Sequence, residues 1–350
     1  MRVQWETRAL VLAEPIRLSR STAPAREVVQ VELTHEDRSG FGEIAVSVYF
    51  GLNAARIGEL LKRLRPALES VSTPEDLLAA LPDLDALVGH DLADELAANP
   101  GVLAGLDAAV HDLVGRRAAL PVFMLAGQQS WQPVRTARTI SLRRPAEAAS
   151  AARRLTARGF EVLKIKVGAT DDLRRVAAVR GAAPGAKLLL DPNGAWQPVE
   201  HAARLLDRLA RYDVAAVEQP VPPGAPDQLA WLSARSPIAV IADEDATSLE
   251  DVARLAGVVH GINIQLPRLG GITAALAAIE VARRHGTDVM LGCTVSSSLG
   301  IAPAAHLTGY ARWVDLDGHL LLAHDPWTGI SGQDGTLRLS MHPGLGLQPA

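Results

Sequence analysis

The sequence predicts an α/β fold in which a (β/α)8-type barrel follows an N-terminal α+β region. From about residue 137, eight short apolar strands alternate with amphipathic helices, seven of which are clear. Acidic residues end three successive strands at intervals of 25 to 27 residues, the length of one strand-plus-helix unit. An open doubly wound sheet is the alternative. Reactive side chains at almost every strand end disfavour it, because that fold gathers them at one switch point.

The chain is expected to divide into three parts. Residues 1–130 predict an α+β domain, because strand-like alternation up to residue 47 gives way to helical spacing from about residue 53. Residues 131–320 predict the barrel, with strands in the segments RTISL, VLKIKV, KLLLD, AAVEQ, IAVIAD, GINIQL, DVMLGC and WVDLD. Residues 321–350 are rich in Gly and Pro and hairpin-like. This last segment is expected to return to the N-terminal domain.

Composition excludes several classes of function. The 350 residues are 48% hydrophobic and 21% charged, so a large core needs no disulfide or metal staple. A net charge of −4 gives no electrostatic reason for a nucleic-acid or anionic-membrane partner. No apolar run reaches the ~20 residues of a membrane span. Cys293 is the only cysteine, which excludes intrachain disulfides, favours a cytoplasmic location and predicts a packing role for this thiol.

Three acidic residues are candidate metal ligands. Asp191 in LLLDPNGAW, Glu218 in VEQP and Asp243 in IADED stand at matched strand ends. The carboxyl ends of barrel strands form one face, so the three carboxylates converge and need a cation to offset their repulsion. Oxygen ligands without nearby His or Cys favour Mg²⁺ over Zn²⁺. A single Asp at such a position ordinarily caps a helix or forms a salt bridge. Three acidic residues at the same position of successive strands are less easily explained in that way.

Two lysines precede this acidic series by one strand. Lys164 and Lys166 in VLKIKVG are two residues apart and therefore face the barrel interior together. A neighbouring cation lowers the pKa of a lysine and makes it usable as a base. The simpler alternative is that both lysines only neutralise the carboxylates. A metal with a lysine base suits removal of a weakly acidic proton next to a carboxylate, with an enolate as intermediate.

The motifs LKIKVG, LLLDPNGAW, VEQP, ADED and GCTVSSSLG resemble the muconate-lactonizing branch of the enolase superfamily. The resemblance covers nearly the whole chain, and TISL at 139–142 with WVDLDG at 313–318 is most similar to dipeptide epimerases. It implies that the N-terminal domain caps the barrel and is completed by the C-terminal segment. It also implies that Asp191, Glu218 and Asp243 bind Mg²⁺. Lys166 is then the acid/base on one face of the substrate, supported by Lys164.

Substrate contacts are expected on several strand ends and loops. By the resemblance, Asp315 and Asp317 hold the ammonium group of a dipeptide-like substrate, although a solvated turn is the alternative. Ser296, Ser297 and Ser298 open a helix whose N–H groups suit a carboxylate, or serve as an ordinary cap. The remaining assignments follow the family pattern: Thr139 and Gln265 on strands, Arg17, Ser19, Arg20, Tyr49 and Phe50 on closing loops, and Asn193, Glu244 and Arg268 behind the contact residues.

The chain departs from the family pattern at the end of the sixth strand. Two-base racemases and epimerases carry a second lysine there, and the matching residue in GINIQLPRLGGI is Gln265. An amide neither takes up nor delivers a proton at neutral pH, and Arg268 stays protonated. Glu244 is a further candidate for this face, but the resemblance implies that it supports the missing lysine. Ser296 is a second departure, because related epimerases often have Glu there.

Three functions follow from these observations. The first is a Mg²⁺-dependent isomerase of the epimerase type, acting on a dipeptide or an N-acyl amino acid. The second is a one-base syn-lyase, dehydratase or cycloisomerase, favoured by Gln265. The third is a barrel that binds a ligand without catalysis, which the complete acidic series and both lysines disfavour. In each case we expect a small-molecule carboxylate ligand, and barrels of this size favour a homo-oligomer.

Overall fold

An antiparallel three-stranded sheet begins the chain. The computed structural model describes residues 1–17, 22–46 and 52–350. Strand β1 (Arg2–Arg17) pairs with β2 (Thr22–His35), which pairs with β3 (Arg38–Ala45). Alternate β2 side chains are fully buried, so one face of this sheet is covered by the helices that follow.

Six helices complete the N-terminal region: α1 (Ala54–Ser70), α2 (Pro74–Ala80), α3 (Leu84–Val88), α4 (His90–Ala97), α5 (Pro100–Ala118) and α6 (Val122–Leu125). Helix α1 begins where Asn53 Oδ1 accepts a hydrogen bond from Arg56 N at 2.8 Å. Helix α5 is buried along most of its length and packs on β3. A Cβ at Gly42 would lie 1.9 Å from Gly105 O, so this close contact requires glycine.

Parallel strands and helices then alternate through the middle of the chain. A short strand, β4 (Val134–Arg135), precedes them and belongs to a separate antiparallel sheet. The parallel strands are β5 (Ala137–Ile140), β6 (Val162–Lys166), β7 (Lys187–Asp191), β8 (Val214–Glu218), β9 (Ala239–Ala242), β10 (Gly261–Ile264), β11 (Asp288–Gly292) and β12 (Trp313–Asp315). The helices are α7 (Pro145–Ala157), α8 (Asp172–Ala182), α9 (Val199–Leu209), α10 (Pro226–Ser233), α11 (Leu249–Leu255), α12 (Leu266–Leu269), α13 (Ile272–Arg284) and α14 (Ser298–Ala305).

Strands β5 to β12 form one eight-stranded parallel sheet in sequence order. Leu316 N, directly after β12, donates a 2.9 Å hydrogen bond to Thr136 Oγ1, directly before β5. The first and last strands therefore meet, and the predicted (β/α)8-type barrel fold is confirmed. Each predicted strand overlaps the observed strand, with ends that differ by at most two residues.

Alternation along the strands separates the two faces of the barrel wall. Leu163 and Ile165 are buried against the outer helices, whereas Lys164 and Lys166 lie on the inner face. An inner layer of Ala137, Leu189, Ala216, Ile241, Met290 and Trp313 fills the barrel below the lysines. Polar side chains two residues further along these strands therefore collect at one open end.

The C-terminal segment contacts both the barrel and the N-terminal region. Strand β13 (Trp327–Thr328) pairs with β16 (Gln348–Pro349), while β14 (Ile330–Ser331) pairs with β15 (Thr336–Leu339), which pairs with β4. Leu345 N donates a 2.7 Å hydrogen bond to Asp112 Oδ1 on α5. Within the described ranges, every helix is too short or too polar to cross a membrane.

Candidate active site

Lys164 lies at the centre of the open end of the barrel. Its Nζ donates to Asp315 Oδ2 at 2.8 Å and lies 3.0 Å from Asp191 Oδ2 and 2.6 Å from Glu218 Oε2. Burial lowers the pKa of Lys164, but the three carboxylates outweigh it and hold the pKa well above the ordinary value. Lys164 is therefore a positive charge that joins three strand ends.

Two of the three carboxylates that contact Lys164 have pKa values shifted in opposite directions. Burial raises the pKa of Asp191, but Lys164 and Lys166 outweigh burial and hold it below the ordinary value. Burial also raises the pKa of Glu218, and although Lys164 lowers it, repulsion from other carboxylates adds to the effect of burial, so the pKa lies well above the ordinary value. Asp191 contacts two lysine amines, whereas Glu218 contacts one, and this explains why their pKa values shift in opposite directions. A further positive charge would stabilise the ionised form of Glu218.

Lys166 is the accessible member of the lysine pair. Its Nζ donates to Asp191 Oδ2 at 2.5 Å and to Asn193 Oδ1 at 2.7 Å, and its side chain is 29% exposed against 7% for Lys164. Asn193 has φ 46°, a left-handed conformation that asparagine tolerates. This conformation directs the amide between two active-site groups, because its Nδ2 also donates to Glu244 Oε1 at 3.1 Å.

Asp243 is held by amide and guanidinium groups. Gln265 Nε2 donates to Asp243 Oδ1 at 2.7 Å, and Arg268 donates to both carboxylate oxygens at 2.9 and 3.2 Å. Burial lowers the pKa of Arg268, but Asp243 and Glu244 are the main groups that raise it above its usual value. Gln265 thus contacts the carboxylate of Asp243. Arg268 stays protonated and is therefore a poor base.

Asn263 and Gln219 are buried polar residues that the sequence analysis missed. Asn263 Nδ2 donates to Glu218 Oε1 at 3.0 Å and to Asp243 Oδ1 at 2.9 Å, and so links two carboxylates. Gln219 Oε1 accepts from Asp243 N at 3.0 Å and fixes the end of β9. Asn263 has the same inward parity as Gln265 on β10, and a polar residue at that position in an apolar strand is the signal that was available.

The carboxylates of Asp191, Glu218 and Asp243 fit a hard divalent cation. In the described part of the chain, no group of three or more His, Cys, Asp or Glu side chains already has the arrangement of a metal site. Instead, the cations of Lys164, Lys166 and Arg268 contact the three buried carboxylates. Glu218 Oε2 is buried, and its contact with Lys164 lacks hydrogen-bond geometry, so this oxygen has lone pairs available. Such an all-oxygen set suits Mg²⁺.

Glu244 lies between the two sides of the site. Its Oε2 is buried without a hydrogen-bond partner among the described residues. Burial raises the pKa of Glu244 to about 7, with repulsion from Asp243 and Asp191 adding to the rise. The direct contact that the structure shows is with Asn193 on the side of Lys166, not with Gln265.

The Asp-x-Asp pair is engaged with cations of the chain itself. Asp317 Oδ2 accepts from Thr139 N at 3.0 Å and from Arg138 Nη1 at 3.2 Å, while Asp315 Oδ2 accepts from Lys164. Thr139 therefore acts here through its backbone on Asp317. Both acids contact cations of the chain, and Arg138 was not recognised from the sequence as a partner of Asp317. A contact of Asp315 and Asp317 with a substrate ammonium stays a prediction.

Two carboxylates of the chain occupy the helix end at Ser297 and Ser298. Ser297 N donates to Glu43 Oε1 at 2.9 Å, and its hydroxyl also contacts Glu43. Ser298 N and Oγ donate to Asp325 Oδ2 at 2.9 and 2.7 Å. The α14 N-terminus thus does bind carboxylates, as its chemistry suggested, but those of Glu43 and Asp325. A substrate contact for buried Ser296 stays a prediction.

Other predicted residues have simpler outcomes. Arg20, Tyr49, Ser19 and Phe50 lie outside the described residues, as does the side chain of Arg17 at the end of β1. Burial raises the pKa of the Cys293 thiol well above its ordinary value, with Asp315 and Asp317 contributing. A neutral thiol is a poor nucleophile, consistent with the packing role expected for it.

Asp172 and Arg175 form a buried ion pair beneath the lysine side of the mouth. The Asp172 carboxylate accepts from Gly168 N at 2.8 Å and from Trp196 Nε1 at 2.9 Å, and Arg175 Nε donates to Arg143 O at 2.6 Å. The loops after β5, β6 and β7 are thereby tied together. This pair was not recognised in the sequence, where Asp at a helix start is commonplace.

Known proteins are similar to this chain in sequence and in fold. A family model described as enolase C-terminal domain-like matches residues 146–350. The L-Ala-D/L-Glu epimerase of Bacteroides thetaiotaomicron is 31% identical over 329 residues, covering 94% of this chain and 82% of that protein. The hydrophobic dipeptide epimerase of Roseobacter litoralis is 32% identical over 352 residues, covering 99% and 98% of the two chains.

A solved structure is similar over the whole length. The dipeptide epimerase of Enterococcus faecalis, crystallised with Mg and the dipeptide L-Leu-L-Tyr, gives a TM-score of 0.89 at 29% identity and covers 99% of this chain and 98% of that chain. The chain therefore belongs to the enolase superfamily. Its resemblance to the dipeptide epimerases, first indicated by the motifs, is confirmed.

Proposed function

We propose that this protein is a Mg²⁺-dependent isomerase of the epimerase type. It removes the proton next to the carboxylate of a dipeptide-like or N-acyl amino acid substrate and forms an enolate. The position of Lys166 carries the proposal, because its partly exposed Nζ lies 2.5 Å from Asp191 Oδ2 at the edge of a buried carboxylate cluster. An amine in that position is placed to exchange protons with a bound substrate.

Asp191, Glu218 and Asp243 are the residues that would hold Mg²⁺. The bound ion supplies positive charge that stabilises the negative charge developing on the substrate carboxylate. Lys164 contributes a second positive charge from the floor of the site. The Mg and dipeptide in the Enterococcus faecalis enzyme support this cofactor and this kind of substrate.

Lys166 carries the proton. In its neutral form it accepts the α-proton at Nζ. Return of a proton from Lys166 to the same face of the enolate restores the starting configuration, and slower delivery of a proton from water to the opposite face gives the epimer. Asn193 Oδ1 accepts a hydrogen bond from this amine and orients it. Asp172 acts at a distance, because it holds the loop that follows Lys166. The names of the relatives, which are epimerases, support isomerisation at this carbon.

Gln265 favours a second candidate function. The amide of Gln265 binds Asp243 and neither takes up nor delivers a proton at neutral pH. The face opposite Lys166 therefore lacks the second base of a two-base epimerase. One base is enough for syn-elimination, dehydration or cycloisomerisation. In those reactions a leaving group departs or a ring closes, and the second face needs no proton.

Deuterium exchange tests the proposal. The protein is incubated in D₂O with Mg²⁺ and a panel of dipeptides and N-acyl amino acids, and the α-proton is followed by NMR alongside chiral chromatography. We expect exchange that stops when EDTA removes the metal, with some formation of the epimer. An eliminated or cyclised product supports the second candidate. Thermal stabilisation by Mg²⁺ without exchange on any carboxylate would support a non-catalytic barrel and contradict the proposal.

Several further proposals rest on the sequence. These are the domain boundaries at residues 130 and 320, substrate contacts by Arg17, Arg20 and Tyr49, a homo-oligomer, a cytoplasmic location, and the absence of nucleic-acid and membrane partners. The similar whole-chain coverage of relatives supports a common arrangement of the capping region and the barrel.

A further inference from the structure

Arg138 binds the end of the Asp-x-Asp motif from outside the barrel wall. Its Nη1 lies 3.2 Å from Asp317 Oδ2 and 3.3 Å from Asp317 O, and its Nη2 lies 3.2 Å from Leu320 O. The side chains of Arg138 and Asp317 are only 13% and 6% exposed. A guanidinium presents planar donors that match a carboxylate, so Arg138 is placed to offset the negative charge of Asp317.

Each acid of the motif therefore contacts a cation of the protein, although Asp315 shares its cation with two other carboxylates. Asp317 has Arg138, and Asp315 has Lys164 at 2.8 Å. Lys164 serves Asp191 and Glu218 as well, but it is buried and close to all three. The motif presents much less negative charge than two free carboxylates would.

A substrate ammonium would gain little at such a site. Binding removes the ammonium from water, and that loss is offset only where an unneutralised negative charge faces it. Asp315 Oδ1 offers something different, because this oxygen is buried and has no hydrogen-bond partner in the described part of the chain. A neutral N–H or O–H group satisfies such an acceptor without bringing a charge.

We infer that the site selects substrates whose amino-terminal end carries a neutral hydrogen-bond donor in place of a free ammonium. Acylated or hydroxy-acylated amino acids belong to this class, whereas free dipeptides do not. Arg138 is the residue that sets this specificity, because it neutralises Asp317. The inference rests on the proposed function for the reacting carbon and narrows the substrate at its distal end.

Two isosteric substrates test the inference. L-alanyl-L-leucine carries an ammonium where N-(L-lactoyl)-L-leucine carries a hydroxyl group of similar size. Deuterium exchange at the leucine α-carbon is measured for both, with kcat and KM determined separately. Binding of each compound to the Mg²⁺-loaded protein is measured by calorimetry. In the wild-type protein we expect the lactoyl compound to be favoured in kcat/KM and in affinity by at least about tenfold.

Variants separate charge from structure. Arg138→Gln should shift the preference toward the alanyl compound, mainly through KM, because Asp317 regains its charge. Arg138→Lys should keep the wild-type preference. Arg153→Gln, an exposed arginine on α7, is the matched control and should change neither ratio. Melting curves show whether each variant folds. If Arg138→Gln does not fold, the preference of the wild-type protein and of Arg138→Lys for the lactoyl or the alanyl compound still tests the inference.

The outcomes distinguish the inference from the proposed function. Preference for the alanyl compound in the wild-type protein overturns the inference while the function stands. An unchanged ratio in folded Arg138→Gln overturns the role of Arg138. If neither compound exchanges but the lactoyl compound binds more tightly, the inference survives and the proposed reaction fails. Failure of both compounds to bind contradicts the inference.

Discussion

The two sides of the barrel mouth carry different chemistry at the same height. On one side, Lys166 ends β6 with an amine that is partly exposed and is oriented by Asp191 and Asn193. On the other side, Gln265 follows β10 with a buried amide bound to Asp243. An amine can take up and release a proton, whereas an amide is neither an acid nor a base at neutral pH. Proton transfer is therefore expected from the Lys166 side.

The carboxylates on the two sides differ in the same way. Asp191 contacts two lysine amines, the buried Lys164 and the partly exposed Lys166, and Lys166 is the proposed proton carrier. Asp243 contacts a guanidinium and the amides of Asn263 and Gln265, which do not carry protons in this way. Among the predicted metal ligands, Asp191 is therefore held by the proton carrier Lys166, and Asp243 is held by groups that only donate hydrogen bonds. The comparison shows that a site with these metal-ligand motifs can have a catalytic base on one side only.

The largest effect is expected from removing the amine on the lysine side. Lys166→Ala should reduce α-proton exchange by about 10³-fold, within the range that a positioned acid/base contributes. Exchange is measured by NMR in D₂O with saturating Mg²⁺. Lys187→Ala removes an exposed lysine at the start of β7 and is the matched control. Exchange that survives in Lys166→Ala would show that another group is the base.

A smaller effect is expected from adding an amine on the opposite side. Gln265→Lys should raise the rate of inversion relative to exchange by about tenfold, because a second acid/base then faces the enolate. The nearby Arg268 limits the gain, since it repels a protonated lysine. Chiral chromatography of the recovered substrate gives the inversion rate. Gln228→Lys on α10 is the control. An equal rise in its inversion rate would show that the position of the added lysine does not cause the effect.

The smallest effect on rate is expected from loosening the loops behind Lys166. Asp172→Asn breaks the buried pair with Arg175 and should lower the free energy of unfolding by about 3 kcal/mol. Exchange should fall only about threefold to tenfold, mainly in kcat, because the amine is displaced rather than lost. Denaturant unfolding and exchange kinetics measure both. Asp171→Asn, at the neighbouring and more exposed position, should change neither by a comparable amount.

Much of the barrel and its acidic ring could be predicted from the sequence because the signals are local. Strand β7 agrees with its predicted segment KLLLD at both ends, since its apolar run is bounded by polar residues. The regular spacing of Asp191, Glu218 and Asp243 placed them on one face without any knowledge of contacts. Gln265 was found in the same way, by its position at a strand end.

The partners of these residues could not be predicted, because they come from distant parts of the chain. Arg138 and Asp317 are 179 positions apart, and Glu43 and Ser297 are 254 positions apart. No periodicity links such pairs, and Arg and Glu are ordinary surface residues in a sequence. The expected carboxylate site at Ser297 was chemically reasonable, but a tertiary contact fills it. The buried, charged state of Lys164 likewise depends on three strand ends meeting.

Stereochemistry under single-turnover conditions tests the difference between the two sides most directly. Excess enzyme with Mg²⁺ is mixed in D₂O with a substrate of one configuration at the α-carbon, and each configuration is supplied separately. We expect one configuration to take up deuterium about 10²-fold faster than it inverts, since the Gln265 side lacks a positioned acid. Equal rates of exchange and inversion, starting from either configuration, would show a second base and contradict the one-sided site.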